Sequence, residues 1–485
     1  MKKFFGILLL SAAILPVDAQ RVLSLDSCRQ MALRNNKQLG VSKLKQDVAE
    51  NLRKSARTKY LPHVSAVGTY EHTSEEVSIL NNDQKAALGN LGTGFGTSLQ
   101  QNLGPAIAQM SPQAQQFIGQ TVGHTSSLLN ELGQKIIDAF RTDTRNIFAG
   151  SVLFTQPLFM GGSIVALNKM ADINEQMAKN STDARRHATL YQIDQAYWQV
   201  VSLHHKKQLA ESYLELVKKF DSDVHKMIEE GVATRSDGLS VDVKVNEAEM
   251  TLTKVNDGLV LSRMLLNQLC GLPLNEPVTL QDELSENIAV VEITPELNVE
   301  QAVTNRPELK MLQNTVDLTK QATNVLKAGN LPQVALSGGY AISNPNVLNG
   351  FEKKFAGYWH VGVVVRVPIW NWGDVMYKVR ASKGATAIAN LELAEARELI
   401  ELQVNQTTFK VDEANKKLTM AQANIQRADE NLRTANLGFQ EGVISPTVVM
   451  EAQTAWMQAQ SQKIDAEIDV KLSQVDLQKA LGTLE

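Results

Sequence analysis

Large apolar side chains recur every seventh residue at Val404, Val411, Leu418, Ile425, Leu432 and Phe439. Ala414, Ala421, Ala428 and Ala435 each follow one of them three positions later. That spacing predicts a coiled-coil seam with a large residue at one core position and alanine at the other. No proline interrupts 374–441, so one helix is expected there, roughly 100 Å long at about 1.5 Å per residue. A second long helix is expected over 163–230, where Ala196, Leu203, Ala210, Val217 and Val224 keep the same spacing. Each long helix is followed by a Gly-Val turn, at Gly231-Val232 and Gly442-Val443, and then by a return helix. The first return helix, 237–270, carries Val245, Leu252, Leu259 and Leu266 with Ala248, Val255, Ser262 and Leu269. The second, 446–481, carries Val449, Trp456, Lys463, Val470 and Leu477.

Four stretches alternate with period two and predict strands. They cover about 62–70, 148–157, 332–340 and 358–368. Trp359, Val361, Val363, Val365 and Val367 share one face of the last strand, with His360, Gly362, Val364 and Arg366 on the other. Helices are expected over 24–59 and 299–327, and a linker over 271–298. Residues 71–147 are rich in Gly, Asn, Gln and Ser, with helical fragments expected at 113–120 and 127–140. Gly92-Thr93-Gly94-Phe95-Gly96 within it lacks the Lys-Ser/Thr of a phosphate-binding loop and reads as solvated loop.

The plan occurs twice. Ala32 matches Ala302 and Pro62 matches Pro332, each offset by 302 − 32 = 270. Pro157 matches Pro368 and Gly231 matches Gly442, each offset by 442 − 231 = 211. The difference, 270 − 211 = 59 residues, falls between the first two strands, at a loop tip where insertions are tolerated. The division is therefore a leader over 1–19, a first repeat over 20–290 and a second over 291–485.

Composition narrows the class. A net charge of −4 gives no reason to expect nucleic-acid binding. Lys2-Lys3, the apolar run Phe4–Leu15 and Val17-Asp18-Ala19 form a secretory signal; the run is too short for a membrane anchor. Leu25-Asp26-Ser27-Cys28 only loosely resembles a lipidation site. Cys28 and Cys270 could pair in an oxidising compartment, but each also suits a helix core, and free thiols are favoured. His187, His204, His205 and His225 show no metal-ligand spacing. Met170, Met177, Met250 and Met264 read as helix core rather than a copper site. No catalytic constellation stands out, so no enzyme and no cofactor is expected.

Any membrane contact must then come from strands, and four strands cannot close a barrel. An open sheet edge in lipid leaves backbone groups unpaired, so several chains must assemble. The valine face with Trp359 would face lipid, with Tyr358, Trp359, Trp370 and Trp372 as interfacial aromatics. A soluble sandwich with tryptophans in its core is the competing architecture. A soluble periplasmic coiled-coil adaptor or scaffold is the competing function.

The duplicated plan, the Leu-Pro strand starts at Leu61-Pro62 and Leu331-Pro332, Pro157–Gly162 with its counterpart Pro368–Gly373, the turn Gly231–Asp237 and the ending Lys479–Leu484 form an ordered set. By that set the chain resembles the TolC-like outer-membrane efflux proteins over nearly its whole length. The resemblance implies a homotrimer in the outer membrane of a Gram-negative bacterium, its twelve-stranded barrel continuing into a periplasmic α-helical barrel. It implies an exit duct served by a periplasmic adaptor (membrane fusion protein) and an inner-membrane pump of RND or ABC type. Gly231, Val232, Gly442 and Val443 then match adaptor-docking tips. Asp237, Phe439 and Glu451 match gate positions, while Ile444 and Val448 stand where some members carry an arginine and a second acid.

Overall fold

A computed structural model describes residues 21–484, except 77, 142, 286–287, 292–297 and 350–351. The expected leader lies outside the described residues. The chain runs β1 (Arg21–Leu23), α1 (Leu25–Asn35), α2 (Lys37–Thr58), β2 (His63–His72), α3 (Asn82–Gly89), α4 (Leu91–Ile107), α5 (Pro112–Ala139) and β3 (Asn146–Met160). There follow α6 (Ser163–Glu229), α7 (Arg235–Cys270), β4 (Val278–Leu280), α8 (Val299–Asn305), α9 (Pro307–Lys327), β5 (Gln333–Asn344), β6 (Ala356–Arg366), α10 (Asp374–Gln440) and α11 (Pro446–Leu481). The fold is mainly helical with a small sheet. The two long helices are 67 residues each and the two return helices 36 each.

The chain forms two compact units, each drawn from both repeats. The helical unit takes in the chain up to Lys54, Leu167–Thr323 and Lys378–Glu485. Its seams are buried as the heptads require: Val404, Val411, Leu418 and Phe439 on α10 and Ala196, Ala210, Val217 and Val224 on α6 are inaccessible to solvent or nearly so. Each such Val, Leu or Phe contributes about 1.5–3 kcal/mol relative to exposure. Cys28 and Ala32 of α1 close onto Leu266 and Cys270 of α7, beside Ile193 and Tyr197 of α6. The same arrangement recurs with Ala302, Leu309, Val404 and Ala480. Gly271 meets Asn35, and Gly482 meets Asn305, at matching close approaches. The first repeat adds polar ties: Arg29 donates twice to buried Asp194, at 2.7 and 2.6 Å, and Tyr197 donates to Asp282 at 2.5 Å.

The other unit, Ser55–Ala166 with Asn324–Tyr377, holds an antiparallel sheet in the order β2-β3-β5-β6. Val152 faces Tyr340, and Tyr340 faces Trp359, across its centre.

Several expectations need correction. The helix expected over 24–59 breaks at Asn36, whose carboxamide accepts from the Leu39 amide at 2.9 Å and so starts α2 afresh. The second repeat breaks at Arg306 because Pro307 follows. The third strand of the chain runs through Pro157 rather than stopping there, since the register shifts between Pro157 and Phe159 and a bulge tolerates proline. The last strand ends at Arg366, which leaves Val367 just outside it. Residues 92–96 lie in α4, not a loop. A side chain on Gly92 would strike the Ser126 carbonyl, so glycine there lets α4 approach α5 closely. The two fragments expected at 113–120 and 127–140 are one helix, α5. Within the linker 271–298, β4 pairs in parallel with β1. Met250 is exposed and not core.

Candidate functional site

Both hairpin tips end in the same backbone device. Gly231 and Gly442 adopt φ of +75° and +72°, a left-handed conformation that glycine takes without a Cβ penalty. The Val232 amide donates to the Met227 carbonyl at 2.8 Å, and the Val443 amide to the Gly438 carbonyl at 2.9 Å. The inner bonds, Gly231 to Ile228 and Gly442 to Phe439, are both 3.0 Å. The helix ends are therefore satisfied internally, and Val232 and Val443 project into solvent.

Beyond the turn the tips diverge. Thr234 and Asp237 form a reciprocal capping box: the Asp237 amide donates to Thr234 Oγ1 at 3.2 Å, and the Thr234 amide donates to Asp237 Oδ2 at 2.9 Å. These bonds, led by the one from the Thr234 hydroxyl, hold the Asp237 carboxyl below its ordinary range. At the second tip Ser445 makes no side-chain cap and Val448 stands in the aspartate's place.

The structure does not bring Asp237, Phe439 and Glu451 together as one cluster. Phe439 is only 7% exposed and meets Phe220 at a tilt, 4.9 Å between centroids, joined by Val224, Val241, Ala435 and Val449. Glu451 is exposed along a groove between α7 and α11 that also takes in Lys244, Glu247 and Met450. Phe220, Met227, Val232, Phe439, Gly442 and Gln453 line a groove of about 570 Å³ between the two tips. Gln453 is 1% exposed, and its amide has no hydrogen-bond partner among the described residues. Sequence reading missed Gln453, because a glutamine two residues past Glu451 carries no signal of its burial.

His225 also differs from its sequence reading. Asp221 lies one turn before it on α6 and Asp242 faces it from α7. Nδ1 lies 3.0 Å from the Asp221 carbonyl, and Nε2 lies 3.8 Å from Asp242 Oδ1. The carbonyl bond, backed by the two carboxylates, raises its pKa above the ordinary value. Asp221, His225 and Asp242 are the one group among the described residues with three metal-ligand atoms inside 4.8 Å. An imidazole bonded to a carbonyl between a half-buried acid, Asp221, and an exposed one, Asp242, is explained as a charged tie without a metal.

In the sheet unit, β6 exposes Trp359 (76%), Val361, Val363 and Val365 on one face, and Val367 just beyond is exposed too. The opposite face carries His360, Gly362, Val364 and Arg366. Trp370 and Trp372 are exposed and meet edge to face at 5.7 Å. Every residue of β2 is exposed. Among the described residues no helix is long and apolar enough to cross a membrane.

A duplicated helical hairpin with two satisfied tips and an edge-open sheet bearing an aromatic and valine face resemble the parts of an outer-membrane efflux protein. The comparisons agree. Residues 298–483 match the family model described as outer membrane efflux protein. The chain is 21% identical over 349 residues to the outer membrane protein TolC of Vibrio cholerae, spanning 70% of this chain and 77% of that protein. Its fold is similar to the solved outer-membrane channel OprN (TM-score 0.74, 15% identity, 94% of this chain and 89% of that one). It is also similar to the outer membrane protein VceC of Vibrio cholerae (TM-score 0.71, 14% identity, 94% and 96%). The chain thus resembles the TolC-like outer membrane efflux proteins, by the family model that matches its second half and by its fold. Its relatives are transport proteins, not enzymes.

Proposed function

We propose that three copies of this chain close into one exit duct, a twelve-stranded barrel in the outer membrane continued by a helical tunnel in the periplasm. One observation carries this: both layers of a lone chain end in open edges. In the sheet, β2 and β6 are unpaired on their outer sides among the described residues. Four alternating strands per chain let β6 of one copy meet β2 of the next antiparallel, so the alternation survives closure. In the helical layer, α10 exposes Leu391, Leu402, Phe409 and Met420, a second apolar line apart from its buried seam. The first return helix, α7, exposes Leu239, Val243, Met250, Leu261 and Leu265. Two different uncovered edges make a head-to-tail contact, which forms a ring when the rotation closes.

The duct conducts substrate passively for a tripartite export system. A periplasmic adaptor docks at Gly231-Val232 and Gly442-Val443, and an inner-membrane pump of RND or ABC type drives the flow. The exposed valines and the groove above Gln453 support docking at the tips. Trp359, Val361, Val363, Val365 and Val367 face lipid. Asp237 and Glu451 are the acids of the periplasmic gate, with Phe439 setting the spacing of α6 and α10 from inside the core.

Fractionation and planar-bilayer recording test the reading. The chain should be recovered in outer membranes and give discrete conductance steps. Asp237→Ala with Glu451→Ala should change conductance or cation preference. Recovery in the soluble periplasm, without channel activity, would sink the proposal.

A further inference from the structure

The first repeat closes on a pair of cysteines. Cys28 sits one turn into α1, its amide held by the Ser24 carbonyl at 3.0 Å. Cys270 is the last residue of α7. Both side chains are 0% exposed, and neither is bonded to the other. Cys270 Sγ lies 3.9 Å from the Cys28 carbonyl oxygen, across 242 residues of chain. Both side chains belong to the same buried cluster, with Ala32 and Leu266. Independent contacts fix the backbone on both sides of the pair. Asn35 Nδ2 donates to the Cys270 carbonyl at 2.7 Å, and Gly271, at φ +76°, abuts the Asn35 side chain. A Cys28 buried this deeply has no room for a lipid chain. The equivalent positions in the second repeat, Asn298 (28 + 270) and Leu481 (270 + 211), carry no thiol.

We propose that Cys28 and Cys270 are joined by a disulfide in the exported protein. The proposal rests on the periplasmic placement of the helical part, since that compartment is oxidising and favours such bonds. The oxidant is the disulfide of a periplasmic thiol oxidoreductase. A thiolate of one cysteine attacks the donor disulfide and forms a mixed disulfide, releasing one donor thiol. The second cysteine then attacks that bond, forming Cys28 Sγ–Sγ Cys270 and releasing the second donor thiol. Two electrons pass to the donor, and the two protons end on its thiols.

The timing follows from burial. Both thiols are fully buried, and exchange needs a thiolate that can reach its partner disulfide, so the folded pair exchanges poorly. The bond must form before α1 closes onto α7, and once formed it is shielded from reductants. The result ties the start of the mature chain to the end of the first hairpin.

Wild-type protein from outer membranes, denatured in the presence of an alkylating agent so that buried thiols are reached, provides the test. The expected result is no alkylated cysteine without reductant and two after reduction. The unreduced denatured chain should migrate faster on a gel, because the bond closes a 242-residue loop, and Cys28→Ser with Cys270→Ser should abolish that shift. Reduction of the native protein should require denaturant. Two alkylated thiols in unreduced outer-membrane protein would overturn the disulfide and leave the channel reading intact. A reducible dimer band would overturn it equally, by showing pairing between chains. Recovery of the chain outside the membrane fraction would count against the channel reading, which the thiol count does not test.

Discussion

The two hairpin tips begin with the same turn and finish differently. Both use a left-handed glycine and a valine whose amide reaches back five residues. The first tip then adds a closed capping box and a histidine held between two aspartates. The second has Ser445 without a side-chain cap, Val448 for the aspartate, and Asn436 (225 + 211) for the histidine. Equal helices thus end in one tip tied by polar bonds and one held by apolar contact through Ile444 and Phe439. Duplication preserved the lengths, with 67 residues in each long helix and 36 in each return helix. It left the chemistry of the ends free to differ.

The largest expected effect removes what the tips share. Phe439→Ala should cost about 3–5 kcal/mol of local stability, as buried phenylalanine truncations do. Hydrogen exchange should then accelerate on both sides of the contact, near Phe220 as well as near Val449. Acceleration at only one tip would mean that the tips fold independently. The capping box comes next. Asp237→Ala should lose roughly 1 kcal/mol and fray the start of α7, whereas Val448→Ala should leave α11 almost unchanged.

A smaller gain should come from the reverse change. Val448→Asp, three residues after Ser445, should supply the missing box and slow exchange at the start of α11 by several-fold. No slowing would show that Pro446 already fixes that helix start. The smallest effect is in pH. His225 has a raised folded pKa, so its contribution is fully present below its ordinary value of 6.5. It is lost as pH rises through the folded value. Exchange at the first tip should therefore quicken across that window, and His225→Asn should flatten the profile. The second tip should show no such dependence.

Much of this was legible in the sequence, for a physical reason. Heptads, Gly-Val turns and proline stops act over a few residues, so the long hairpins and their duplication could be read directly. What escaped depends on distant parts of the chain. The pairing of β1 with β4 involves strands too short to show alternation. Phe439 reads as a seam residue, and only its contact with Phe220 shows that it joins the two hairpins. The glycines of α4 look like loop until Ser126 of α5 is seen against Gly92. The exposed line Leu391, Leu402, Phe409 and Met420 was hidden beside the stronger seam of the same helix. The asymmetry at Asp237 and Val448, by contrast, was visible from the 211-residue offset alone.

In the proposed duct, further copies of the same chain cover the open edges of the sheet and of the helical layer. The most direct test is the mass of the purified protein in detergent, measured natively with the detergent contribution removed. Three copies of the mature chain in one stable particle are predicted, and Phe409→Glu on the uncovered face of α10 should weaken that particle. A monodisperse monomer, no heavier than the 53.4 kDa of the full sequence, would contradict it.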